Sequence, residues 1–174
     1  MAILPIRHCL DPVLRKKCDA IQNLNQELVD LSDDMIETMY DSLGVGLAAN
    51  QVGEASRLIV VDMGFKSESE KPDKHEPLVI VNPEITAFEG EQMGQEGCLS
   101  IPEIFADIER AKRVEVKGVD LDGNDVRLEA EGFMARAFQH ELDHLDGKLF
   151  WDMVGKIRRD IMKRKFKKWL KENQ

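Results

Sequence analysis

Between Asn25 and Leu43, apolar residues fall at Leu28, Leu31, Met35, Met39 and Leu43. Steps of three and four describe one side of an amphipathic helix, and Gly44 is the expected stop. The pattern then changes. Leu58-Ile59-Val60-Val61 and Leu78-Val79-Ile80-Val81 are short β-rich runs, read as strands. The polar, Pro-containing stretch from Gly64 to Pro77 between them reads as a surface loop. Val114 to Val119 alternates with period two, Asp122-Gly123 supplies a turn, and Val126-Arg127-Leu128 alternates again. That is a hairpin with one wet face. A second helix is expected from about Phe133 to Leu145, closed by Asp146-Gly147, and a third from about Gly155 to Lys171. Strands gathered between an early and a late helix favour an α+β fold with antiparallel pairing.

Composition narrows the class without deciding the function. A chain of 174 residues suits one globular domain, here residues 1–154 with 155–174 as a helical appendage. No apolar run approaches the roughly 20 residues that span a bilayer, and the first residues show neither a secretory nor a transit signal. A cytoplasmic protein without a membrane partner is the simplest expectation. Cys9, Cys18 and Cys98 are too few and too scattered for a disulfide framework. Cys9 and Cys18 read as plain packing or surface residues. The formal charge of −9 conceals an asymmetry, because residues 155–174 carry nine basic side chains against two acidic ones. On the third helix Ile157, Ile161, Met162, Phe166, Trp169 and Leu170 recur at helical spacing, so an apolar side is expected to pack on the body. Its basic side would face an anionic partner or simply water.

The segment richest in chemistry is His140-Glu141-Leu142-Asp143-His144. On a helix, residues four apart project to one side, so two imidazoles can meet one metal ion. Glu141 points roughly 100° away from His140, beside the metal, where a general base would stand. It shares a stripe with Met134, Phe138 and Leu145, and a glutamate among core residues needs a task or a partner. Arg136, Gln139 and Asp143 fall on the arc expected to face outward. A catalytic site also needs a third ligand. His8 and His75 sit in a terminal segment and a polar loop and read as solvated. Cys98, beside Gly97, is the better candidate, with a buried apolar cysteine as the alternative. Gly44 to Gln51 lacks the strand, lysine and hydroxyl of a phosphate loop and reads first as a structural turn.

Gly44 to Gln51, Glu96 to Ser100 and His140 to His144 resemble, in order and spacing, the GxGLAAxQ, EGCLS and HExxH motifs of bacterial peptide deformylases. The likeness runs from Ile3 to about Val154. It implies antiparallel sheets around a central helix that carries HExxH. It implies Cys98, His140 and His144 as metal ligands and Glu141 as the catalytic acid and base. The oxyanion donors would be the Gln51 side chain and the Leu99 N–H. Gly46, Val45 and Gly97 would hold the peptide backbone, with Phe133 and Ala137 in the methionine pocket. The ion implied is Fe²⁺, with Ni²⁺, Co²⁺ or Zn²⁺ as substitutes. The substrate implied is a nascent formyl-methionyl peptide, which would lose its formyl group as formate. The basic C-terminal helix is then a candidate for docking on the ribosome. Some members carry an arginine shortly after the Ile-Pro pair, where this chain has Phe105. A metallopeptidase and a non-catalytic metal-binding protein are the alternatives.

Overall fold

The computed structural model describes residues 1–174. Asn25 caps the first helix, α1 (Gln26–Asp41), by accepting the Leu28 amide at 3.0 Å. Leu28, Met35 and Met39 are buried along it, as the spacing requires. Leu43 lies beyond the helix, with φ 57° and 86% exposure. The left-handed residue after α1 is therefore a leucine. Gly44 serves another purpose, since a Cβ there would stand 2.9 Å from Leu99 Cδ1.

Seven strands follow: β1 (Gly46–Ala48), β2 (Leu58–Asp62), β3 (Pro77–Glu89), β4 (Gln92–Cys98), β5 (Ile101–Arg110), β6 (Arg113–Val119) and β7 (Asp125–Glu131). Five form an antiparallel sheet in the order β1-β2-β3-β6-β7, and β4 pairs only with β5. The β6–β7 hairpin was legible in the alternation, and Val116 pairs with Leu128. β3 outruns its apolar stretch. Its register slips between Val81 and Glu84, where Asn82 has φ 52° and Pro83 offers no N–H to a ladder.

The larger sheet is covered on both faces, which explains why β2 reads as a continuous apolar run. Ile59, Val61, Ile80, Val114 and Val116 meet Ala135, Phe138, Leu142 and Leu145 of the second helix, α2 (Gly132–Leu145). Leu58, Val60 and Val81 meet Leu28, Met35 and Met39 of α1 on the other face. The far side of α2 was expected to face water, and the β4–β5 hairpin covers it instead. Ile104, Ala106 and Ile108 point inward from β5 at alternate positions. They join Leu149, Phe150, Trp151, Met162 and Phe166 in a third cluster.

The last helix, α3 (Lys156–Glu172), packs on that cluster through Met162 and Phe166, with Trp169 and Leu170 partly buried. Ile157 and Ile161 depart from the expectation, at 80% and 40% exposure. At 100° per residue they lie roughly 165° and 125° around the helix from the centre of the packed side. No helix is long and apolar enough to cross a membrane.

Candidate metal centre and active site

Two rigid elements converge on one point. α2 presents His140 and His144 one turn apart, with their Nε2 atoms 3.2 Å from each other. Cys98 ends β4, and its Sγ lies 3.2 Å from His144 Nε2. The three donor atoms all lie within 4.8 Å of one another. Ligands at 2.0–2.3 Å around a tetrahedral ion stand about 3.3–3.6 Å apart, so the triangle has the dimensions of a metal site. Its chemistry fits as well: a thiolate and two imidazoles suit a borderline divalent ion.

Glu96 orients the first imidazole. Its Oε1 accepts from His140 Nδ1 at 2.9 Å, which fixes the tautomer and leaves Nε2 to face the other donors. The same carboxylate accepts from Arg110 Nη2 and Nε at 2.9 and 3.0 Å, and from Arg136 Nη1 at 3.2 Å. Arg110 in turn donates to Asp143 at 2.5 Å. Burial alone would raise the Glu96 pKa, but the bonds from His140 and Arg110 bring it down to about 2. Burial opposes the charge on His140, yet its bonds to Cys98 and Glu96 raise its pKa well above the usual value. Burial and the neighbouring His140 push His144 the other way.

Glu141 is buried beside the triangle, where burial raises its carboxyl to about 7 against the attraction of His140. Gly46 is what lets it sit there: a Cβ at that position would be 2.7 Å from Glu141 Oε1. Gln51 is buried too, its Oε1 held by the Ala48 amide at 3.0 Å. That bond turns the NH₂ inward, 3.2 Å from Ser100 Oγ and 3.6 Å from Cys98 Sγ. A cavity of about 670 Å³ opens over these groups. Val45, Gly46, Gln51, Gly97, Cys98, Leu99, Phe133, Ala137, His140 and Glu141 all line it, so every residue expected at the site except His144 borders this space.

Arg136 corrects the helical-wheel reading. It is buried and lines the cavity, donating to Gly94 O, Ile108 O and Glu96. Gln139 is buried as well, bonded to both the N–H and the C=O of Ala111. The hairpin that covers this face of α2 supplies the partners of Arg136, and the link after β5 supplies Ala111. Gly94 is a glycine for the same reason, since a Cβ there would be 2.6 Å from Arg136 Nη2. The alternation Ile104, Ala106, Ile108, Arg110 could have revealed the network, because a cation at an inward position demands a buried acid. Cys9 and Cys18 are buried free thiols, raised by burial to about 12 and 11, and pack in the core as expected.

His8 and His75 stand apart from the metal triangle without being simply solvated. His8 meets Trp169 edge-on at 5.2 Å. His75 Nδ1 donates to Asp62 Oδ2 at 2.6 Å. Asp62 is fully buried and also accepts from Tyr40 Oη at 3.1 Å and from the Gly64 and Glu76 amides at 2.8 Å. It therefore ties both ends of the loop 63–76, which contributes Phe65 and Glu68 to the cavity wall.

Two imidazoles, a thiol and a buried carboxylate at the end of an open cavity are the working parts of a metal-dependent hydrolase. The chain belongs to the polypeptide deformylase family, whose profile matches residues 3–160. A peptide deformylase of Syntrophobacter fumaroxidans is 48% identical over 172 residues, 99% of this chain and 98% of that one. The crystal structure of a peptide deformylase from Legionella pneumophila superposes with a TM-score of 0.91 at 41% identity, covering 99% of this chain and 98% of the other. That from Ehrlichia chaffeensis in complex with actinonin gives 0.89 at 36% identity, covering 97% and 98%.

The Asp62 anchor yields a test. Burial would raise its pKa, but the Glu76 amide, His75 and the Gly64 amide together hold it below the usual 3.8. A depressed native pKa contributes stability above the unfolded value, and that contribution is lost as pH falls through the native one. Asp62→Asn should therefore lower Tm near neutral pH, by the equivalent of about 1–3 kcal/mol. The gap to the native protein should narrow in thermal melts as pH falls below the usual carboxylate value of 3.8. A gap of constant size would remove the carboxylate charge from the anchor.

Proposed function

We propose that this protein hydrolyses the N-formyl group of formyl-methionyl peptides at the start of newly made chains, releasing formate. The observation that carries the reading is the placement of Glu141 and the Gln51 NH₂ on the cavity wall beside the Cys98–His140–His144 triangle. Metal binding alone would need neither group.

Cys98, His140 and His144 would hold one divalent ion, for which we propose Fe²⁺, with Ni²⁺, Co²⁺ or Zn²⁺ able to occupy the same donors. Such an ion supplies Lewis acidity and makes water acidic enough to attack near neutral pH. The other steps belong to the chain. β1 and β4 offer free edges at Gly46 and Gly97, so an extended peptide can lie between them as an added strand. Phe133 and Ala137 line the space for the methionine side chain. Glu141 takes a proton from the attacking water as the new C–O bond forms. It returns that proton to the nitrogen as the C–N bond breaks, giving formate and a free amine. The Gln51 NH₂ and the Leu99 N–H donate to the formyl oxygen as it gains charge, each worth about 10²–10³ in rate. Because formylated chains begin on ribosomes, the reaction belongs in the bacterial cytoplasm.

Formate release from formyl-Met-Ala-Ser, set against internal cleavage of an unblocked peptide, separates deformylation from proteolysis. Glu141→Gln should keep its metal and lose about 10²–10⁴ in kcat, because an amide cannot shuttle a proton. Cys98→Ser should lose metal and activity together. A metal-free Glu141→Gln protein would make Glu141 a ligand and overturn its assignment as base.

The partner proposed for α3 is ribosomal RNA near the nascent chain. Lys163, Arg164, Lys167, Lys168 and Lys171 are all exposed on it. Docking there would raise the local concentration of substrate. Reversing several of these charges should weaken co-sedimentation with ribosomes at low salt and leave turnover of short free peptides unchanged. Undiminished co-sedimentation would reduce the basic side to a solvated surface.

A further inference from the structure

Glu96 orients His140 through its Nδ1, and no carboxylate does the same for His144. What reaches His144 is Asn50, the residue before the Gln51 amide. Asn50 is fully buried and lies in the short 3-10 turn Ala49–Val52. Its Nδ2 donates to His144 O at 2.5 Å, in the last turn of α2, where carbonyls lack partners within the helix. The neighbouring Gln51 NH₂ points to Ser100 Oγ and Cys98 Sγ instead. Successive side chains of one turn therefore grip both flanks of the metal triangle.

The turn does not need the Asn50 side chain for its own shape. Gly53 N bonds to Asn50 O at 3.1 Å, Glu54 N to Ala49 O at 3.0 Å and Arg7 N to Gln51 O at 2.7 Å. His144 O likewise already accepts from Gly147 N at 3.0 Å. A buried amide that served only this carbonyl would gain little. The groups left over say more: Asn50 Oδ1 and His144 Nδ1 are both buried without a partner. Buried polar atoms in that state are uncommon. With His144 Nε2 turned to the other metal donors, Nδ1 carries the ring proton. One leftover group then donates and the other accepts, and both belong to the same pair of residues.

We propose that Asn50 is the positioning residue of His144, as Glu96 is of His140. Its NH₂ fixes the helix turn that carries the imidazole, and its Oδ1 takes the ring N–H in the metal-loaded protein. A neutral amide suits this place, because Glu96 and Glu141 already bury two carboxyl groups around the donors. The same turn carries Gln51, so the bond also holds a metal donor and the proposed oxyanion donor at one spacing. The inference rests on the metal-dependent deformylase reading and deepens it.

The test uses Asn50→Leu, similar in size but without hydrogen-bonding groups. Asn50→Ser, smaller and polar, keeps the test open if Asn50→Leu does not fold. Arg57→Gln is the control, because Arg57 donates to Leu145 O and Asp146 Oδ1 at the same helix end without touching His144. Each protein is titrated with Co²⁺ against a competing chelator, and Tm is followed alongside. Affinity should weaken by about 10- to 100-fold in the Asn50 variants and stay near the native value in Arg57→Gln. Proton NMR of the Co²⁺-loaded proteins in H₂O gives a reading that lost stability alone cannot. The paramagnetic ion shifts the ring N–H protons of bound imidazoles clear of the rest, and hydrogen-bonded ones exchange slowly with water. Native protein should show two slow signals, from His140 and His144, and the Asn50 variants only one. Native affinity in a folded Asn50 variant, two slow signals in either variant, or an equal loss of affinity in Arg57→Gln would each overturn the proposal. Formate release from formyl-Met-Ala-Ser by the loaded native protein reports deformylation separately, so the two readings fail independently.

Discussion

The Glu96 carboxylate is the point through which the architecture and the chemistry are joined. It sits on β4 and accepts from Arg110 on β5 and from Arg136 and His140 on α2. An ion buried this deeply costs several kcal/mol unless its partners are complete. Here two guanidiniums balance Glu96 and Asp143; the bonds of Glu96 to Arg136 and His140, and of Arg110 to Asp143, cross between the hairpin and the helix. Without that network the small sheet would hold α2 mainly by apolar contact, which does not specify register, and by the bond from Gln92 to the Gly132 carbonyl. With it, Cys98, two residues from Glu96, is delivered to the imidazoles at a fixed height. His140 is at the same time locked in the tautomer that a metal ligand requires.

The remaining parts of the site follow from close approach. Gly44 admits Leu99, Gly46 admits the Glu141 carboxylate, Gly94 admits Arg136, and Gly97 admits the Phe105 ring. In each case the missing Cβ makes room for a named atom. The five-stranded sheet stops at β1 and the small sheet at β4, and these two edges flank the cavity. A slot between two sheet edges suits an extended chain terminus. The candidate metal donors Cys98 and His140 lie on the wall of this slot.

Much of this was legible in the sequence, though unevenly. The helix α1 and the β6–β7 hairpin show in their periodicity, because each has one buried and one wet side, and α2 shows in the apolar stripe that meets the sheet. The grouping of candidate metal donors shows in the spacing of His140 and His144 and in the resemblance at Cys98. What failed to show is the β4–β5 hairpin. Gln92-Met93-Gly94-Gln95-Glu96 is polar and glycine-containing, and the Gln92 and Glu96 side chains find partners in α2 and in the β5 end of the hairpin. Missing that hairpin made Arg136 and Gln139 look solvent-facing, since a wheel sees only its own helix. Leu43 misled in the opposite way, being apolar, in phase and yet outside the helix. Ile157 and Ile161 likewise kept a helical rhythm without lying on the packed side. Periodicity reports which residues share a side; only tertiary contact says which side is covered.

The central claim is that Glu96 sets the geometry of the metal donors, and metal affinity in Glu96→Gln tests it most directly. The amide would turn donor protons toward Arg110 and can no longer serve all its partners. Competitive titration of Co²⁺ into native protein, Glu96→Gln and Glu96→Asp gives the affinities, with circular dichroism as the check on folding. Affinity weaker by about 10- to 100-fold in the folded variants is the predicted result, as for the loss of a hydrogen-bond partner behind a metal-bound imidazole. Native affinity in a folded Glu96→Gln protein would contradict it.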